Sequence, residues 1–305
     1  MESFRVPHFI LHDFSDGEES KVIRMILNYA HIPFEVKDID KDDYILEDYP
    51  FYSLPMLEIN ERKLGNVPSI CRQLGWRYEL SGQTAGEDSE VDMIAEKTFE
   101  ARMKIKNWLD HLEHREDHEC DKPPGQARYI EVTVSSSVEN FSKPMESFRV
   151  PHFILHDFSD GEESKVIRMI LNYAHIPFEV KDIDKDDYIL EDYPFYSLPM
   201  LEINERKLGN VPSICRQLGW RYELSGQTAG EDSEVDMIAE KTFEARMKIK
   251  NWLDHLEHRE DHECDDTCDS DGAVALLESY LLPTLELILR RNTSPWLIST
   301  KVGEL

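Results

Sequence analysis

A chain of 305 residues with 40% hydrophobic content has room for about two domains, each with its own core. Its 62 acidic against 34 basic residues leave a formal charge of -28, a field that repels phosphate and anionic lipid, so no nucleic acid and no membrane is expected as a partner. No apolar run approaches the roughly 20 residues of a membrane span, and MESFRVPHFILHDFSDGEES lacks the basic-then-apolar order of a secretory signal, so a cytoplasmic protein is expected, with reduced thiols at Cys71, Cys120, Cys215, Cys264 and Cys268.

From the N-terminus, Pro7 to Phe14 alternates between turn residues and predicts a strand, with His8, Ile10 and His12 on one face and Phe9, Leu11 and Asp13 on the other. Asp16 with Glu19 three positions on is a capping-box pattern and predicts a helix opening there, its apolar face carrying Val22, Ile23, Ile26, Leu27 and Ala30. PFEVKDI predicts a second strand, KDDYILEDY a short polar segment, and PMLEI with RKL a hairpin. Asn66 followed by Pro68 predicts a helix start, with the helix running through Tyr78. From Glu87 on, Val91, Ile94, Ala95, Thr98, Ala101, Ile105, Trp108 and Leu112 recur at spacings of three and four, predicting a long amphipathic helix to about His114. The order βαβ, ββα, long helix fits a thioredoxin-like α/β domain followed by the start of an all-α domain.

HLEHREDHEC then sets His111, His114 and His118 at spacings of three and four, with Cys120 beyond them. One helix face so arranged can hold zinc or copper if a second element completes the shell. The interleaved Glu, Arg and Asp suit a solvated helix end equally, and no metal is assigned.

The whole stretch Met1–Asp121 recurs without a difference as Met145–Asp265. A repeat this long means duplicated domains, arising from a very recent duplication or from a joined gene model. KPPGQARYIEVTVSSSVENFSKP between the copies reads as a linker with one short strand, YIEVTV, within it. The second copy repeats the histidines as His255, His258 and His262 with Cys264 and Cys268, and new sequence follows, with the helical run GAVALLESYLLPTLELILRRN and then SPWLISTKVGEL. The expected domains are a thioredoxin-like unit at 1–82, a partial helical unit at 83–121, a linker at 122–144, the identical thioredoxin-like unit at 145–226 and a partial, truncated helical unit at 227–305.

FILHDF, SKVIRMILNYAHIPFE, PFYSLPMLEINERKLGN, SICRQLGWRYELSGQT and SEVDMIAE resemble the cytosolic glutathione transferases, most closely the sigma class with the haematopoietic-type prostaglandin D synthases and the lens S-crystallins. The resemblance implies a thioredoxin-like domain followed by a partial all-α transferase C-terminal domain, present twice, with a cis peptide before Pro55. It implies glutathione as substrate, a small electrophile as its acceptor, no metal, and a dimer made either as an intrachain pseudo-dimer or as a homodimer. YLLPTLELILRRNTSPWLISTKVG resembles a later helix of the family's second domain.

The implied site departs from the family pattern. Where the sigma class has a tyrosine whose hydroxyl stabilises the glutathione thiolate, this chain has Asp13 and Asp157. An ionised carboxylate cannot donate, and its charge raises the pKa of a nearby thiol. As a bare residue, Asp13 reads first as a solvated turn or capping group. Ser15 offers a replacement hydroxyl, but a serine beside a helix start reads first as a cap. Gly17, Asp42, Leu46 and Val67 stand where the family places further glutathione-holding side chains, while Tyr44 would fill the tryptophan position in a shifted alignment. The glutathione contacts that the resemblance leaves in place are the backbone of Leu54 beside Pro55, Asn66, the amide of Val67, and Asp92 or Glu96 from the partner copy. In the second copy they are Leu198, Pro199, Asn210, Val211, Asp236 and Glu240. The function implied is a transferase with a degraded site and low activity; the alternative is a non-catalytic structural or binding protein of the same fold.

Overall fold

The computed structural model describes residues 7–113, 151–257 and 277–291, apart from single positions within them (16, 43, 46, 47, 61, 160, 187, 190, 191 and 227). The predicted linker, most of the histidine and cysteine cluster, and the SPWLISTKVGEL end lie outside the described residues. The first copy runs β1 (Phe9–Phe14), α1 (Lys21–Tyr29), β2 (Glu35–Ile39), β3 (Met56–Ile59), β4 (Arg62–Leu64), α2 (Val67–Arg77) and α3 (Ala85–Glu113). The second repeats this as β5 (Phe153–Phe158), α4 (Lys165–Tyr173), β6 (Glu179–Ile183), β7 (Met200–Ile203), β8 (Arg206–Gly209), α5 (Val211–Arg221) and α6 (Ala229–Glu257). A π-helical turn, Leu277–Leu281, then leads into α7 (Leu282–Arg291). Among the described residues no helix is long and apolar enough to cross a membrane.

Each copy forms a mixed four-stranded sheet, ordered β2-β1-β3-β4 in the first and β6-β5-β7-β8 in the second. β1 pairs parallel with β2, Leu11 facing Val36, and antiparallel with β3, Leu11 facing Leu57. The predicted alternation places Phe9 and Leu11 in the core, where they meet Ile23 and Leu27 of α1 and Ile70 and Leu74 of α2. Each such buried side chain stabilises the fold by about 1.5–3 kcal/mol relative to an exposed one.

One element begins later than its sequence pattern predicts. α1 starts at Lys21, not beside Asp16, and its N-cap, Ser20, makes no side-chain capping bond. Ser20 is fully buried with its hydroxyl held by Arg24 Nε at 3.1 Å, while Glu19 pairs with Lys106 of α3 at 2.6 Å. A tertiary partner thus takes the glutamate that a capping box needs. α2 behaves as predicted, with Asn66 at φ 67° accepting from the Ser69 amide at 3.3 Å.

The two copies pack on each other within the one chain, α2 against α6 and α3 against α5. Met237 of α6 enters the first copy's core and Met93 of α3 enters the second's. Each sulfur accepts from a glycine amide of the opposite copy, Gly65 at 3.1 Å and Gly209 at 3.0 Å. Trp76 meets Trp220 edge to face, centroids 4.3 Å apart. Ser89 and Gln217, and Ser233 and Gln73, join by hydrogen bonds between the copies.

Candidate functional site

At the junction of the copies lies a cleft of about 1220 Å³. Its walls include Leu54, Pro55, Asn66 and Val67 of the first copy, and Asp157, Leu198, Pro199, Asn210 and Val211 of the second. The long helices α3 and α6 supply further walls, from Glu96 to Lys106 and from Glu240 to Lys250.

The peptides before Pro55 and Pro199 are cis, and each leads directly into a strand, β3 or β7. Leu54 and Leu198 therefore sit on the cleft wall with their backbone at the sheet's end. Val67 and Val211 open α2 and α5, where their own amides and the helix dipole favour a carboxylate. The Asn66 carboxamide oxygen is already occupied, accepting from both the amide and the hydroxyl of Ser69 at 3.3 Å.

Asp13 ends β1 but is not a solvated residue: it is 2% exposed. Its Oδ1 accepts from the Phe14 amide at 2.9 Å, while Oδ2 has no hydrogen-bond partner and lies 3.8 Å from the Arg24 guanidinium. A Cβ added at Gly17 would sit 2.3 Å from both oxygens, so the carboxylate occupies the room left by the missing side chain. Asp157 repeats the arrangement, accepting from Phe158 at 2.9 Å and filling the room beside Gly161. Such a group can accept a hydrogen bond but has none to give. Ser15 is exposed and is not a cap, since Ser20 holds that place. Asp42 is exposed, and Tyr44 is stacked on Tyr49.

Asp92, Glu96, Asp236 and Glu240 come together in the interface, but on two arginines that the sequence reading did not single out. Arg72 reaches Asp236 at 2.9 and 3.2 Å, Glu240 at 2.7 Å and Glu96 at 3.1 Å. Arg216 mirrors it, reaching Asp92 at 2.8 Å, Glu96 at 2.6 Å and Glu240 at 3.3 Å. Four carboxylates thus face two guanidinium groups out of contact with water. Burial pushes the Glu240 carboxyl up to about 7; Glu96 and Asp236 add to that push, and the two arginines oppose it. Asp236 is driven below its usual value by both arginines despite its burial.

The cleft's remaining cations were also missed. Lys97 pairs with Glu100 at 2.8 Å, and Lys250 with Glu163 at 2.6 Å. Burial lowers the pKa of Lys241, which lies over the Phe51 ring. A lysine at spacing three from a glutamate on an amphipathic helix signals only an exposed pair, so nothing in the sequence placed these groups in a cleft. Cys71 and Cys215 are free thiols pushed up to about 12 by burial, and neither is a nucleophile at neutral pH. Among the described residues no cluster of His, Cys, Asp and Glu could hold a metal.

Two thioredoxin-like units, each with a cis-prolyl loop and a helix N-terminus facing the long helix of the other, define the class of protein. Residues 11–83 and 155–227 match the family model "Glutathione S-transferase, N-terminal domain". Each copy thus carries a stretch similar to the N-terminal domain of the glutathione S-transferases. It is 24% identical over 160 residues to glutathione S-transferase 1 of Ascaris suum, covering 52% of this chain and 74% of that protein. It is 29% identical over 104 residues to the probable glutathione S-transferase 8 of Caenorhabditis elegans, covering 33% of this chain and 50% of that one. It is also 29% identical over 107 residues to human hematopoietic prostaglandin D synthase, covering 34% and 53%. The chain thus spans about half the length of the last two. The crystal structure of the glutathione S-transferase from Ascaris lumbricoides aligns with a TM-score of 0.41 at 25% identity, covering 48% of this chain and 72% of that one.

Proposed function

We propose that the chain is a cytoplasmic, sigma-like transferase that binds glutathione in the cleft between the copies and conjugates it to small electrophiles only slowly. The observation that carries this reading is the buried carboxylate of Asp13 and Asp157 at the strand ends. It offers no proton to a thiolate and raises the cost of forming one nearby. Binding would rest on backbone: the main chain of Leu54 and Leu198 beside the cis-prolines, and the amides of Val67 and Val211 at helix N-termini. The two copies in one chain replace the dimer on which the site depends.

Isothermal titration of glutathione into the full chain, with turnover of an aromatic halide electrophile, tests this. Asp13→Asn with Asp157→Asn keeps the shape, removes the charge and supplies a donor. It is expected to raise turnover at least about tenfold, the equivalent of one unit in the thiol's pKa, and Asp13→Tyr with Asp157→Tyr is expected to raise it at least as much. Wild-type turnover already equal to that of these variants would overturn the reading. A second reading, a non-catalytic structural or binding protein, is favoured by one observation: the four acids expected to meet the glutathione amine are held by Arg72 and Arg216. Absence of any glutathione heat would select it.

A further inference from the structure

Because the copies are identical in sequence, a difference in exposure between equivalent residues reports only what covers them. On α3, Val91, Ile94 and Ile105 are 43%, 59% and 58% exposed. Their equivalents on α6, Val235, Ile238 and Ile249, are all half-buried. Ala245 of α6 is buried where Ala101 is only half-buried. The differences continue off the helix: Tyr49 and Phe51 are buried at the turn Pro50–Tyr52, whereas Tyr193 and Phe195 at the turn Pro194–Tyr196 are half-buried.

One described element, Leu277–Arg291, lies against both places. Its first turn packs on α6, and α7 packs on the turn Pro50–Tyr52 of the other copy. Leu277, Leu281 and Leu285, four apart, are half-buried, while Glu286 and Arg290 are exposed and paired at 2.6 Å. The segment is an amphipathic helix laid across a surface that both copies build. The mirrored packing of the copies builds the same surface a second time, from α3 and the turn Pro194–Tyr196, and no described segment lies on it.

We propose that this second surface is a docking site for an amphipathic helix of a partner protein, with leucines spaced as in Leu277, Leu281 and Leu285. The receptor chemistry is that of the occupied face, residue for residue, so the ligand chemistry is that of its occupant. A second copy of this chain is the weaker occupant. It has one Leu277–Arg291 segment, and lending it would bare its own α6, so no apolar surface is gained. A row of exposed Val and Ile on a chain of net charge -28 is otherwise a liability in water, and insertion of a helix at spacings of three and four is an established way to cover one.

The test uses a fluorescent peptide of residues 277–291, cross-linked between exposed positions to hold it helical, titrated with the full chain by anisotropy. Saturable binding of one peptide per chain is expected, weakened at least about tenfold by Ile94→Glu and by Ile105→Glu, the scale of an interface anchor lost. Both side chains are exposed, so the variants fold. Lack of binding, equal binding of a scrambled peptide, or binding unchanged by both substitutions would overturn the proposal; the last would mean that the peptide had displaced the chain's own segment from α6.

Discussion

Arg72→Ala or Arg216→Ala is expected to cost about 3–5 kcal/mol of stability and to let the two copies swing apart. Arg72 is the hub of a buried network, its three guanidinium nitrogens divided among Asp236, Glu240 and Glu96. Two arginines facing four acids already leave the network acid-rich, so removing either leaves a single cation against all four. Carboxylates that cannot reach water within the interface regain it only by opening the interface. Met93, Met237 and the Trp76–Trp220 contact hold the copies together against this, yet all lie in the same interface and must open with it. Urea unfolding and small-angle scattering check the expectation: the midpoint falls and the radius of gyration grows. An unchanged midpoint and size for both variants would show that the network is incidental. Replacing all six charged residues by apolar groups of similar volume should by contrast be neutral or stabilising, because it removes the desolvation cost along with the attraction.

How much of this was legible in the sequence follows from how local each feature is. β1 was readable because Phe9 and Leu11 alternate with less buried neighbours, and the α2 start because Asn66 and Pro68 need only each other and the next turn. The α1 start was misread because Asp16 and Glu19 carry the pattern of a cap, while Glu19 is taken by Lys106, distant in sequence. The cleft backbone at Leu54, Pro55, Asn66 and Val67 became legible through family resemblance. The arginine network was not legible. In SICRQLGW a lone arginine on an amphipathic helix reads as a solvent residue, and Asp92 and Glu96 one turn apart read the same way. Their burial exists only once the second copy arrives. The one available signal was that these acids flank Met93, a large apolar residue on the same stretch of helix.

The Glu240 carboxyl gives that network a pH dependence. Its pKa in the folded chain is pushed up to about 7 from an ordinary 4.5, so the folded state holds the proton more tightly than the unfolded one. The stabilisation this brings is fully present below 4.5 and is lost as pH rises through about 7. Its ceiling is on the order of 3 kcal/mol, from the gap between the two values. Asp236, lowered by the arginines, contributes in the opposite sense, but loses its contribution only as pH falls below its ordinary 3.8. His12 and His156, lowered by burial, also work against Glu240, destabilising the fold as pH falls below 6.5. Raw stability against pH therefore mixes several groups, and the difference between wild type and Glu240→Gln isolates one. Glutamine stands in for the protonated acid at every pH, so the variant's advantage over wild type should grow as pH rises from about 4.5 to about 7 and level off above it. Thermal melts of both proteins from pH 5 to 8.5 read this directly. A constant offset between the two curves would mean that Glu240 stays ionised in the interface throughout and that the arginines outweigh its burial.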